Sequence, residues 1–199
     1  MIKVAMDIDG VLADFDSSFL KLLNELNNTN VKLIDPPNCW HWPQKICKFT
    51  DHQVNEAWDC IKATPSWWSE LAPTKEGKTI IKFLNALSTV GNWDTYYLTN
   101  RLPERSKYYT QLWLNKMGME FPTVILADAT GKAKLAKTLN IDLFFDDKPE
   151  NVNVAKLYNE QMQVYIVDRA FNRVGIDGGI KRTENVGTTL LEVFNAYNL

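Results

Sequence analysis

Two carboxylates, Asp7 and Asp9, close an apolar run made of Ile2, Val4, Ala5 and Met6, and Gly10 follows them. Side chains at i and i+2 of an extended segment point the same way, so both carboxylates aim at one spot while the glycine lets the chain turn away. Carboxylates crowded like this repel unless a cation lies between them or one keeps a proton. Three more polar features stand at strand ends or helix starts. Thr99 and Asn100 follow the apolar TYYL, Lys132 opens a helical stretch, and Asp146-Asp147 follows LFF fourteen residues beyond Lys132. Their joint chemistry is phosphoryl transfer. One carboxylate can attack phosphorus, and a second can protonate the leaving alkoxide and later deprotonate water. The remaining aspartates complete an oxygen site suited to Mg²⁺, and a hydroxyl and an ammonium neutralise phosphate oxygens as charge shifts.

Simpler readings of each motif fail in combination. An EF-hand loop is excluded because glycine comes at the fourth position and Val11-Leu12 follow it. A second IDGG, at Ile176–Gly179, follows no strand and reads as a turn. The Cys39, His41, Cys47, His52 and Cys60 group matches no zinc spacing.

These side chains need a scaffold that gathers strand ends. After the opening strand, Asp16–Asn28 reads as a helix, capped by Asp16 or Ser17, with Phe19, Leu20, Leu23 and Leu26 on its apolar face. Asn27–Pro43 is irregular, Asp51–Lys62 is a helix capped by Thr50 or Asp51, and Pro65–Trp68 is a short helix or turn. A helix over Lys75–Val90 then leads into alternating elements: strands near 95–98, 123–127, 143–145 and 164–167, helices over 103–118, 132–139, 149–159 and 186–197. Arg169–Asn185 reads as a loop. Five strands alternating with helices predict an α/β fold: a Rossmann-like three-layer core with a parallel sheet and the site at its carboxyl ends. The segment after strand one breaks that alternation and concentrates five of the seven tryptophans between residues 40 and 68. It reads as a small helical cap over residues 16–73, with the core formed by 1–15 and 74–199.

The motifs DIDGVLADF, YLTNR, GKAKLAKTLNID and FFDDKPENV resemble those of the haloacid dehalogenase-like hydrolases, and more narrowly the 5'(3')-deoxyribonucleotidase branch. The resemblance spans nearly the whole chain. It implies a phosphatase that hydrolyses (deoxy)nucleoside monophosphates with Mg²⁺ as cofactor, through an aspartyl-phosphate. By position, Asp7 is the nucleophile and Asp9 the acid/base. Asp7, the Asp9 carbonyl, Asp146 and Asp147 hold the metal, with Asp147 preferred over Asp146 for direct ligation. Thr99, Asn100 and Lys132 bind phosphate; Lys134 competes with Lys132, but the spacing favours Lys132. Phe15 faces the base, and one of Trp67 and Trp68 reaches the pocket while the other packs the cap. Arg101 and Lys148 touch phosphate or sugar, or lie on the surface. Trp40 and Trp42 read as core packing, and Arg169 and Arg173 as ties for the last loop.

Composition agrees with a small-molecule enzyme. A net charge of −2 argues against a long nucleic-acid groove. No stretch approaches ~18 apolar residues, so no membrane span is expected, and no signal-peptide layout is present. Three unpaired cysteines fit a cytoplasmic protein. A nucleoside monophosphate is the expected partner and a homodimer is left open; the alternatives are a polynucleotide 3'-end or sugar phosphate as substrate, or a non-catalytic nucleotide-binding protein on the same scaffold, which would have lost a motif residue, and none is lost.

Overall fold

The computed structural model describes residues 1–197. Six parallel strands form one sheet in the order β3-β2-β1-β4-β5-β6. They are β1 (Ile2–Met6), β2 (Trp93–Thr99), β3 (Thr123–Leu126), β4 (Leu143–Asp146), β5 (Gln163–Val167) and β6 (Lys181–Thr183). The helices are α1 (Phe15–Asn27), α2 (Trp42–Lys45), α3 (Asp51–Ala63), α4 (Gly77–Thr89), α5 (Ser106–Met117), α6 (Ala129–Thr138), α7 (Pro149–Tyr158) and α8 (Val186–Tyr197). A 3₁₀ turn spans Pro65–Ser69.

Alternation along each strand builds the layers. Val4, Met6, Tyr97, Phe145 and Val167 point to one face, where Ile81, Leu84, Trp113 and Leu190 of α4, α5 and α8 cover them. Ala5, Leu98, Phe144 and Ile166 point to the other, against Ala133, Ala136, Val152 and Ala155 of α6 and α7. A strand buried on both faces has no polar side, which is why β1 and β4 read as apolar runs. Because β1 lies between β2 and β4, the strand order reverses there, and the crevice at its carboxyl end is where such sheets place their sites.

Residues 16–73 leave and rejoin this sheet at one place. Asp14 N–H donates to the Ala72 carbonyl and Thr74 N–H to the Leu12 carbonyl, both at 2.8 Å, flanking an antiparallel bridge between Ala13 and Pro73. α1 and α3 pack together there through Phe19, Leu23, Val54, Ala57 and Ile61, and the apolar cluster is continuous with that of the sheet.

Several local expectations change. The loop over 169–185 contains β6, a strand of three residues with Lys181 and Arg182 exposed, too short and polar to give a period-two signal. Asp14, not Asp16 or Ser17, caps α1 by accepting from Ser17 N–H at 3.1 Å, and Leu26 is exposed while Leu22 takes the buried position. α5 starts at Ser106, because Ser106 spends its N–H and hydroxyl on the carbonyls of Pro103 and Arg101 in a turn. α6 starts earlier than expected, with Asp128 as its cap, accepting from Gly131 N–H at 2.7 Å, so Lys132 lies at the end of its first turn. Thr50 caps α3 with Gln53 in a reciprocal capping box, as the sequence suggests.

Candidate active site

β1 ends at Met6, and Asp7 N–H continues the ladder to the Phe145 carbonyl at 2.9 Å. That bond places Asp7 beside the end of β4, which delivers Asp146 and Asp147. α6 then directs Lys132 into the same space. Its Nζ donates to Asp7 Oδ1 at 2.5 Å and to Asp146 Oδ2 at 2.7 Å. Asp7, Lys132, Asp146 and Asp147 are all buried.

The two carboxylates of β4's end differ in their surroundings. Asp146 also accepts from Lys148 N–H and from Asn151 Nδ2, each at 2.9 Å. Among the described residues no hydrogen bond reaches the Asp147 carboxylate. Burial, then the charges of Asp7 and Asp146, push Asp147 well above the ordinary carboxylate range. Burial likewise raises Asp7 to about 7; Lys132 opposes that rise, while Asp146 and Asp9 add to it. Burial alone would lower the Lys132 ammonium, but Asp146 and Asp7 outweigh it and hold it above an ordinary lysine.

Asp7, Asp146 and Asp147 can each present one oxygen within 4.8 Å of the others. Three buried carboxylates against one ammonium leave excess negative charge in a dry site, and Asp147 has oxygens to spare. This donor set fits a hard divalent cation such as Mg²⁺, which takes oxygen ligands. Asp9 turns its side chain elsewhere. Its carboxylate receives Arg101 Nη2 at 2.7 Å and Nε at 3.0 Å, and Thr99 Oγ1 lies 3.3 Å away.

Gly10 has φ +77°, and a Cβ there would lie 2.0 Å from Asp147 Oδ2. Its carbonyl accepts Arg169 Nε at 2.8 Å and Nη2 at 2.5 Å. Asn172 Nδ2 donates to the Asp147 carbonyl at 2.7 Å and the Val167 carbonyl at 2.8 Å. Arg169 therefore ties the loop to the Gly10 turn, in line with the sequence reading, whereas Arg173 makes only an exposed ion pair with Asp168.

Beside Asp9, Gly10 and Asp147 opens a cavity of about 290 Å³, walled by Phe15, Phe19, Trp40, Trp42, Trp58 and Phe171. Asp16, His41, Gln44 and Asn55 also line it. A larger cleft, about 580 Å³, lies along Leu33–Pro37 and Lys75; it shares Gly10, Phe15 and Asp16 but holds none of the aspartate trio.

The sequence candidates divide accordingly. Phe15 borders the cavity, with its ring stacked 5.7 Å from that of Trp58. Trp67 and Trp68 do not border it: Trp68 is buried and donates Nε1 to the Leu102 carbonyl at 2.9 Å. Trp42 is buried and donates to Asp16, but Trp40 is not core. It is 54% exposed at the rim, under Lys148 Nζ at 4.7 Å and edge-on to Phe171. Lys134 is exposed, which leaves Lys132 as the site lysine, and Asn100 is exposed. Arg101 is buried, so its surface reading fails. Sequence reasoning missed Trp58, Asn151 and Asn172. Asn151 had a signal, since a helix starting at Pro149 carries its third residue back over the preceding aspartates.

No protein-family model matches the chain. A curated relative, "Putative nucleotidase YqfW" of Bacillus subtilis (strain 168), is 24% identical over 187 residues, covering 93% of this chain and 90% of the relative. Among solved structures, a HAD-superfamily hydrolase of subfamily IA from Geobacter sulfurreducens superposes with a TM-score of 0.56 at 13% identity, covering 97% of this chain and 96% of its own. An L-2-haloacid dehalogenase superposes with a TM-score of 0.60 at 11% identity, covering 98% and 99%. The chain has the fold of the haloacid dehalogenase-like (HAD) hydrolase superfamily.

Proposed function

We propose that this protein is a Mg²⁺-dependent phosphatase that hydrolyses (deoxy)nucleoside monophosphates through an aspartyl-phosphate on Asp7. The observation that carries this reading is the buried Asp7–Lys132–Asp146 chain, with the Asp147 carboxylate beside it at the edge of an aromatic cavity of about 290 Å³. The nucleotidase name of the Bacillus subtilis relative points the same way.

Asp7, Asp146 and Asp147 would hold Mg²⁺, with the Asp9 carbonyl beside them; the ion when bound supplies positive charge to offset the carboxylates and the phosphate. Every other role falls to the chain. An Asp7 oxygen attacks phosphorus, the ester P–O bond breaks, and its electron pair leaves on the alcohol oxygen, which takes a proton from Asp9. Water then attacks the acyl-phosphate, Asp9 takes the water proton, and Asp7 is regenerated with release of inorganic phosphate. Lys132 holds Asp7 in its attacking rotamer and offers charge to the phosphate oxygens. Thr99 and Asn100 stand at the end of β2 for the same phosphate. Residues 16–73 act as a cap, Phe15, Trp58 and Trp40 offering faces to the base, with Lys148 at the rim.

A phosphate-release screen in Mg²⁺ over nucleoside monophosphates and sugar phosphates tests this. Turnover on nucleoside monophosphates is expected. Turnover confined to sugar phosphates would move the substrate class, and no release from any ester would remove the reading.

A further inference from the structure

Arg101 is fully enclosed beside the site: its side chain is 0% exposed, whereas the Asp9 carboxylate that it meets is 24% exposed. Each of its three nitrogens has a protein acceptor. Nη2 donates to Asp9 Oδ1 at 2.7 Å, Nε to Asp9 Oδ2 at 3.0 Å, and Nη1 to Thr110 Oγ1 at 3.1 Å. The guanidinium plane also lies 4.7 Å from the Trp68 ring and 5.8 Å from that of Trp113. Trp68 donates to the Leu102 carbonyl and Trp113 to the Leu71 carbonyl, so the two rings are themselves anchored across the junction with residues 16–73. Such a side chain lacks the freedom of a substrate ligand, and it does not border the aromatic cavity. Its fork and the Thr99 hydroxyl hold the Asp9 carboxyl, and Asp9, unlike Arg101, borders the open pocket.

We infer that Arg101 is a positioning residue: it fixes the Asp9 carboxyl toward the pocket so that Asp9 delivers and recovers the proton in both halves of the reaction. This role rests on the phosphatase reading above. Arg101 itself exchanges no proton and touches no phosphate. In the first half the ester P–O bond breaks as the Asp7–phosphorus bond forms, and the Asp9 proton goes to the departing oxygen. In the second half the water proton returns to Asp9.

The consequence is a leaving-group signature. p-Nitrophenolate departs without a proton, whereas phenolate needs one. In Arg101→Leu, p-nitrophenyl phosphate should therefore still load Asp7, giving a burst of about one p-nitrophenol per site and then turnover slowed on the order of 100-fold. Phenyl phosphate should give no burst and lose turnover to at least that extent. Arg101→Lys keeps the charge but not the fork, so it should behave like Arg101→Leu. Thr110→Val, which removes one tether and leaves the ion pair, should show a smaller burst of the same kind; it carries the test if Arg101→Leu loses its circular dichroism. Equal slowing on both esters with a raised KM and no burst, or recovery by lysine to within about tenfold of wild type, would overturn the inference in favour of phosphate contact. A wild-type chain inert on both esters and on nucleoside monophosphates would instead remove the phosphatase reading, and this role with it.

Discussion

Gly10 and Asp147 meet so closely that no side chain fits between them: a Cβ on Gly10 would lie 2.0 Å from Asp147 Oδ2. The turn after β1 and the end of β4 thus share one volume. Gly10→Ala has two penalties, the φ of +77° and the displaced carboxylate. We expect it to lower Mg²⁺ affinity at least tenfold with the secondary structure preserved. Isothermal titration with Mg²⁺ checks this; unchanged affinity would show that Asp147 is not a ligand.

Asp7→Asn keeps the size of the side chain and removes an oxygen that, in the proposed mechanism, attacks phosphorus. Turnover should fall by several powers of ten, with an unchanged circular dichroism spectrum. Activity within about tenfold of wild type would mean that the nucleophile lies elsewhere.

The metal-free site should make stability depend on pH. Asp7 is raised from 3.8 to about 7 in the folded chain, and Asp147 is raised as well. Groups raised this way favour the folded state while protonated, so their contribution is present below about pH 4 and is lost as pH rises through 7. In a chelator the melting temperature should fall between pH 5 and pH 8, by on the order of 5 °C, at about 2–4 °C per kcal/mol for a chain of this size. Mg²⁺ binds the folded state alone and favours the ionised carboxylates, so the Mg²⁺-induced rise should be larger at pH 8 than at pH 6. A rise that shrinks with pH would contradict the burial and charge argument.

Trp58 and Phe15 stack on one another at the cavity wall. Removing the indole in Trp58→Ala should raise KM for nucleoside monophosphates by roughly 5- to 150-fold, the worth of one base-stacking face. Glycerol 2-phosphate, too small to reach that wall, should lose little. Equal losses on both substrates would assign Trp58 to packing alone.

The layered sheet was legible because strands buried on both faces leave unbroken apolar runs, and each run ended in a polar side chain. Lys132 was legible from its distance to Asp146, since about two helix turns and one strand connect them. Arg101 was not, because its partner Asp9 is 92 residues away and nothing local distinguishes a buried arginine from a solvated one. The choice among the cap tryptophans failed for another reason. Residues 27–43 have no helical or strand period, so nothing in the spacing says that Trp40 faces the rim while Trp42 turns inward. Asp14 and Asp16 both suit a helix cap; only the backbone at Asp14, which turns its carboxylate onto Ser17 N–H, decides between them.

The paired backbone bonds at Leu12–Thr74 and Asp14–Ala72 join the two ends of a segment of nearly sixty residues into a single stitch. Loop-closure entropy grows only with the logarithm of length, and here the closure is already made by the stitch. Length changes confined to the exposed stretches of residues 16–73 therefore leave the register of β1 against β2 and β4 untouched. The sheet and the segment inserted after β1 can thus diverge at independent rates.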